Sequence, residues 1–233
     1  RDMGQTAAAI AGYQQALALG ADPELHRYYL AALSPDQPAV NAPAAYVEKL
    51  FDQYADDFEA HLVGQLGYQG HSVLLQHLPA DPAARFERVW DLGCGTGLCG
   101  TLIRPRADHL IGVDLSSVMV AKARALGVYD SLHAQELVAF MQQTTEPADL
   151  VIAADVFIYV GWLEAVFEAL SPRVRSGGWL ALTVEEADPG FEVQLHSSLR
   201  YAHALSYLQK LAAQHGWHWA KAHRAPLRLD QAQ

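Results

Sequence analysis

Val89-Trp90-Asp91-Leu92-Gly93-Cys94-Gly95-Thr96-Gly97-Leu98-Cys99-Gly100 is the stretch on which the fold turns. An apolar run ends in an acidic residue. Glycines then fall at alternate positions, and an apolar segment follows. This is the pattern of a buried strand that bends sharply into a helix. Glycine permits the bend and lets a ligand come close to the main chain. Unpaired N–H groups at the helix start suit a negative ligand group. Outward from this stretch, short apolar runs alternate with helical spacing. Strands are predicted at Arg88–Leu92, His109–Asp114, Ser131–Ala134, Leu150–Asp155 and Trp179–Val184. Helices are predicted between them at Leu98–Arg104, Ser116–Leu126, Gln135–Gln143 and Gly161–Leu170. A longer helix over Leu199–His215 and a strand at Trp217–Ala222 complete the pattern. Such alternation with continuous apolar strands predicts an α/β fold: a parallel, doubly wound, Rossmann-like sheet with helices on both faces.

The glycine loop reads two ways. Gly95, Gly97 and Gly100 spell the G-x-G-x-x-G of a dinucleotide site. Asp91, two residues before Gly93, opposes that reading. Two unit charges about 4 Å apart interact by about 4 kcal/mol at an effective dielectric of about 20. A carboxylate there repels a pyrophosphate and attracts the ammonium and sulfonium of S-adenosylmethionine (SAM). Bracing the loop is another role open to Asp91. Asp114 ends the next strand, 21 residues after Gly93. A carboxylate there accepts hydrogen bonds from ribose hydroxyls and serves either ligand. It could instead cap a helix, a role for which Ser116 and Ser117 are better placed.

Composition narrows the partners. The chain has 233 residues, 51% of them hydrophobic, which suffices for one α/β domain and a small appendage. A net charge of -10 without a Lys/Arg cluster argues against nucleic acid and against a membrane surface. No apolar run is long enough for a membrane span. Cys94 and Cys99 lack zinc-ligand spacing, so no metal site is expected, and two thiols suit a reducing cytoplasm. The sequence begins at Arg1, inside a helical pattern, so a longer parent protein is expected. Ala9, Tyr13 and Ala16, followed by Gly20 and Asp22-Pro23, resemble the second helix of a tetratricopeptide repeat and its stop signal, and equally a plain packing helix. The expected organisation is a helical, repeat-like segment over 1–35, a proline-containing linker over 36–45, an amphipathic lid helix within 46–70 and the main domain over 71–233. In the lid helix Val47, Leu50, Phe51, Tyr54, Phe58 and Leu62 form one apolar face.

Over about Arg88 to Glu186 the chain resembles the class I SAM-dependent methyltransferases. The resemblance rests on Asp91, Gly93, Gly95 and Gly97 as a first motif, on Asp114, on Ala148–Val156 as a fourth motif, and on Ser176-Gly177-Gly178-Trp179-Leu180 opening a fifth strand. It implies SAM as cofactor, held by Asp91, Gly93, Cys94, Gly95, Gly97, Asp114, Leu115, Glu136, Leu137 and Asp155. More narrowly the chain is similar to a bacterial subgroup that joins tetratricopeptide repeats to a methyltransferase domain, which implies a possible protein partner through N-terminal repeats. The phrases Tyr46–Phe58, Ala154–Gly161 and Arg200-Tyr201-Ala202-His203 carry that likeness. The resemblance implies methyl transfer to oxygen or carbon of a small-molecule or carrier-bound acceptor. The implied acceptor pocket comprises Tyr54, Phe58, Tyr159, Glu186, Tyr201 and His203, with a tyrosine commoner at the Phe58 position. Candidate bases are Tyr159, Glu185, Glu186, His196, Tyr201 and His203, with Tyr159 and His203 as the catalytic candidates. Competing functions are a nucleotide-dependent oxidoreductase and a non-catalytic SAM-binding repeat scaffold. The likeness falters at the end of the chain, where residues for the last strand are missing. A sheet of six strands, weakly paired at one edge, is therefore expected.

Overall fold

The computed structural model describes residues 3–34, 41–55, 67–78, 81 and 84–227. Its centre is a parallel sheet of five strands: β1 (Phe86–Leu92), β2 (Ala107–Asp114), β3 (Ser131–Ala134), β4 (Ala148–Ala153) and β5 (Val174–Leu182). Their order is β3-β2-β1-β4-β5. Chain order therefore reverses between β1 and β4, and a crevice opens there at the carboxyl ends of the strands.

Nine helices are described: α1 (Met3–Ala18), α2 (Pro23–Leu33), α3 (Ala44–Tyr54), α4 (Gly70–Gln76), α5 (Leu98–Ile103), α6 (Ser117–Ala125), α7 (Leu137–Gln143), α8 (Glu164–Leu170) and α9 (Leu205–Gln214). The central strands carry continuous apolar runs, Val89-Trp90 in β1 and Leu150-Val151-Ile152-Ala153 in β4, because both faces are covered there. Alternate residues point to opposite sides. Trp90 and Leu92 of β1 and Val151 and Ala153 of β4 join one core with residues of α7, α8 and α9. Val89 of β1 and Leu150 and Ile152 of β4 join the other, against Leu74, Leu78, Cys99 and Ile103. Tyr28 of α2 is fully buried in the first of these cores, so the N-terminal helix pair packs onto the main domain. Asp22 caps α2 by accepting from Glu24 N at 2.9 Å.

After β5 the chain differs from the expectation. A small second sheet, β6 (Glu185–Glu186), β7 (Val193–Leu195) and β8 (Tyr201–His203), is ordered β6-β8-β7. The helix expected from Leu199 starts at Leu205. Leu199 has a φ of 63°, which no right-handed helix accommodates, and the three residues of β8 pair on both edges. Trp217–Ala222 forms no ladder, so among the described residues the main sheet has five strands, not the six expected. The strand that would lie between this segment and β5 is not among the described residues, and an isolated strand has no partner for its N–H and C=O groups. Trp217 is held instead by its indole N–H, which donates to Ser171 Oγ at 2.8 Å. The amphipathic helix is described as α3, to Tyr54; Phe58 and Leu62 lie outside the described residues. Among the described residues no helix is long and apolar enough to cross a membrane.

Candidate functional site

A cavity of about 460 Å³ occupies the crevice at the ends of β1, β2 and β4. Gly93, Cys94, Gly95 and Thr96 of the glycine loop form its floor; Gly97 is not among the lining residues. Gly93, Gly95 and Gly97 have φ of 63°, 54° and 101°, a conformation that disfavours side chains. A Cβ on Gly93 would also overlap Val156. Asp114 ties the loop to β2: its Oδ2 accepts from Gly95 N at 2.8 Å and its Oδ1 from Ser116 N at 2.9 Å. Burial pushes the Asp114 carboxyl above its ordinary value, against the pull of these N–H groups. With the Leu115 N–H also directed at it, the carboxylate keeps acceptor capacity for a ligand hydroxyl. Ser116, not Asp114, caps α6, by accepting from Met119 N at 3.1 Å.

Asp91 is 1% exposed and lines the same cavity. Its Oδ2 accepts from the Tyr129 hydroxyl at 2.7 Å. Burial pushes its carboxyl up to about 7; the Tyr129 hydrogen bond opposes this, and the neighbouring Asp114 charge adds to it. A buried carboxylate with one hydrogen bond is an incomplete arrangement that a cationic ligand group completes. Tyr129 was not foreseen from the sequence. Its ring fills a slot walled by three glycines. A Cβ on Gly97 would come within 3.3 Å of the ring and one on Gly112 within 2.9 Å, and one on Gly100 would overlap the hydroxyl. Gly100, the third glycine of the dinucleotide spelling, thus makes room for Tyr129 and does not line the cavity.

Cys94, Leu115, Glu136, Leu137 and Asp155 also line the cavity. Glu136 caps α7, its carboxylate accepting from Val138 N at 3.0 Å and Ala139 N at 2.8 Å. Burial pushes the Cys94 thiol up, so it stays neutral. The Thr96 hydroxyl is buried on this wall without a partner among the described residues. Asp155 has a φ of 62°, and its N–H donates to Thr183 Oγ1 at 2.8 Å. From the other side α3 contributes Phe51 and the half-exposed Tyr54. Tyr159 packs edge-on against Phe51, with ring centroids 5.2 Å apart.

The expected acceptor pocket is divided. Tyr54 and Tyr159 line this cavity. Glu186 and His203 line a second one of about 570 Å³, beside β5 and α9. Glu186 is paired there with Arg224, whose Nε and Nη2 donate to it at 2.6 Å each, and this holds its carboxyl below the ordinary value. His203 is 1% exposed, and its Nε2 lies 2.7 Å from the Gly161 carbonyl. A carbonyl only accepts, so Nε2 carries the proton; burial lowers the pKa and keeps the ring neutral. Tyr201 is fully buried against Tyr28 and lines neither cavity. The reason is the pairing of β8 on both edges, which turns this segment into core. His196 closes a turn, its backbone N–H donating to Arg200 O at 2.9 Å. Glu185 lies 2.7 Å from Arg200 Nε. Residues not expected at the site from the sequence include Thr96, Tyr68, His71, Ser198, Leu199 and Arg200, all on the first cavity; Thr96 and Arg200 stood in quoted motifs without an assigned role. Among the described residues no cluster of His, Cys, Asp and Glu is arranged to hold a metal ion.

This combination of sheet order and glycine loop has counterparts among known proteins. Residues 90–180 match a family model described as a methyltransferase domain. Magnesium protoporphyrin IX methyltransferase from Synechocystis, solved with bound SAM, superposes with a TM-score of 0.59 over 79% of this chain and 91% of that one, at 20% identity. The fold is that of a class I methyltransferase. Among curated relatives, the malonyl-[acyl-carrier protein] O-methyltransferase of Enterobacter lignolyticus is 32% identical over 127 residues, 52% of this chain and 50% of that one. The trans-aconitate 2-methyltransferase of Rhizobium etli is 34% identical over 45% of this chain and 41% of that one. The chain thus spans about half the length, or less, of the curated relatives it matches.

Proposed function

We propose that the chain binds SAM in the cavity over the glycine loop and transfers its methyl group to oxygen of a small-molecule or carrier-bound acceptor. The observation that carries this reading is Asp91, a buried carboxylate that opens on a cavity and lacks a cationic partner among its contacts. A pyrophosphate would place negative charge beside it, so a nucleotide-dependent oxidoreductase is disfavoured. SAM supplies a methyl group on a positively charged sulfur, ready for in-line displacement.

The residues of this chain bind and orient. Asp91 would hold the ammonium and Asp114 the ribose hydroxyls. Leu115, Glu136 and Leu137 would flank the adenine, and Gly93, Cys94, Gly95 and Gly97 would leave the main chain open to close approach. Asp155, Tyr54 and Tyr159 face the remaining volume, where an acceptor would lie. Alignment of donor and acceptor accounts for most of the acceleration in such a displacement. Tyr159 is the proposed positioning hydroxyl; a carboxylate acceptor needs no base, whereas a hydroxyl acceptor does. Phe51, Tyr54 and Tyr159 form an aromatic side that keeps water from the reacting atoms.

The rings of Tyr13, His26 and Tyr29 pack together between α1 and α2, as in a helical hairpin of repeat type, and a protein partner on this pair belongs to the same proposal. Calorimetry tests the central claim. Binding of S-adenosylhomocysteine without binding of NAD is expected, and the reverse would overturn the reading. Formation of S-adenosylhomocysteine from SAM with an acid or phenol acceptor would separate an enzyme from a non-catalytic SAM-binding scaffold.

A further inference from the structure

Among the described residues two that are not glycine adopt left-handed φ: Asp155 at 62° and Leu199 at 63°. Both line the first cavity. This conformation costs about 1–3 kcal/mol and persists only where surrounding contacts over-determine it. At Leu199 those contacts are evident. Its N–H donates to His196 O at 2.9 Å, and the N–H of His196 donates to Arg200 O at 2.9 Å. The Tyr28 hydroxyl, from fully buried Tyr28 of α2, donates to Leu199 O at 2.6 Å. The strained turn sets Ser198, Leu199 and Arg200 on the cavity wall.

Arg200 is the only lysine or arginine among the described residues of that wall, and it borders the second cavity as well. The same wall carries the carboxylates Asp91, Asp114, Glu136 and Asp155. His71 adds no charge to offset them, since burial lowers its pKa. Arg200 Nε lies 2.7 Å from Glu185 Oε1, a contact of opposite charges without the alignment of a hydrogen bond. Among the described residues its terminal nitrogens have no hydrogen-bond acceptor. A guanidinium held at one nitrogen presents the other two as a fork that matches a carboxylate.

We propose that Arg200, presented by the Tyr28-braced turn and steadied by Glu185, anchors a carboxylate of the methyl acceptor, which is therefore an acid. This rests on the reading of the cavity as a SAM site and names the acceptor class for it. Without Arg200 an anionic acceptor would meet only like charge on this wall. SAM also carries a carboxylate, so the test must tell the two sources apart.

The test uses the full chain, with and without S-adenosylhomocysteine, and a probe panel of mono-, di- and tricarboxylic acids beside their amides. The acids are expected to bind the loaded wild type and the amides not. Arg200→Gln is expected to weaken the acids about 10- to 150-fold, the range for a charge-assisted hydrogen bond, and Arg200→Lys to restore part of that. Tyr28→Phe is expected to weaken the acids several-fold and leave S-adenosylhomocysteine binding unchanged. If Arg200→Gln weakens S-adenosylhomocysteine but not 5′-methylthioadenosine, which lacks the carboxylate, Arg200 holds the donor and the proposal falls. It also falls if no acid binds the loaded wild type, or if acids and amides bind alike. Should wild type fail to bind S-adenosylhomocysteine at all, the SAM reading itself fails, a separate outcome. Should Arg200→Gln not fold, Glu185→Gln reads the same site, with tighter acid binding expected as the guanidinium is freed and unchanged or weaker binding against the proposal.

Discussion

Tyr129→Phe isolates one hydrogen bond at the centre of the site. The ring remains in its slot between Gly97, Gly100 and Gly112, so packing is preserved. What is lost is the 2.7 Å bond to Asp91 Oδ2. A hydrogen bond to a charged group contributes about 1.5–3 kcal/mol. In the free protein the bond opposes the effect of burial on Asp91, whose carboxyl stands at about 7. Removing it moves that value further up. A cationic ligand must then ionise a more reluctant acid, and at neutral pH the affinity for S-adenosylhomocysteine should drop by about 10- to 150-fold. The drop should shrink at pH 9, where the acid is ionised more fully in both proteins. Calorimetry from pH 6 to 9 reads both quantities. For the wild type, affinity should weaken as pH falls through about 7, with proton release on binding. For the variant the same midpoint should lie higher. An unchanged dissociation constant and an unchanged midpoint, in a variant that melts like the wild type, would refute the assignment of Asp91 to the ammonium.

Gly100→Ala forces a methyl into the Tyr129 hydroxyl and should destabilise by about 1–3 kcal/mol, read as a melting temperature lower by about 2–4 °C per kcal/mol, with weakened cofactor binding. Asp91 has a folded value raised above its unfolded one, so its contribution to stability is lost as pH rises from about 4 through about 7; ligand-free protein should lose melting temperature over that window and S-adenosylhomocysteine should restore more of it at pH 8 than at pH 6. Tyr28→Phe leaves the Leu199 carbonyl without its donor and should cost about 1–3 kcal/mol by denaturant titration. Arg224→Ala breaks only the exposed pair with Glu186 and should leave the melting temperature unchanged.

Strands β1 and β4 were legible because a parallel strand buried on both faces carries a continuous apolar run, as Val89-Trp90 and Leu150-Val151-Ile152 do. The glycine loop was legible because Gly93, Gly95 and Gly97 meet a requirement of the backbone itself, a positive φ, that only glycine satisfies cheaply. The acceptor side was not. Tyr201-Ala202-His203 lacks the alternation of a half-buried strand, since all three residues are core, and a helical pattern ran through it from Leu199. The turn at Leu199 whose φ forbids the helix is braced by the Tyr28 hydroxyl, 171 residues away in sequence. Tyr129 sits in a turn with no periodicity around it, and its role arises only where glycines of two separate segments leave space for its ring. Features set by local backbone demand could be read; those set by contacts between distant segments could not.

The same contrast bears on why the site is built as it is. Asp114 lies close enough to Asp91 to raise its cost of ionisation, and both carboxyls, pushed up chiefly by burial, line one cavity. Nothing in the packing of the sheet requires this; a pair of apolar residues at the ends of β1 and β2 would serve the core better. The arrangement is held by donors on the loop and on Tyr129, each directed at a carboxylate oxygen. A fold that spends stability on two adjacent buried acids, and shapes Gly100 and Gly112 around the tyrosine that steadies one of them, is organised for a ligand that returns positive charge to that cavity. The strained turn at Leu199 repeats the pattern in the same cavity, where a costly backbone conformation is stabilised from α2 and sets Arg200 among the lining residues. Buried acids and one guanidinium thus line a single cavity, which suits a positively charged donor beside the acid proposed as acceptor.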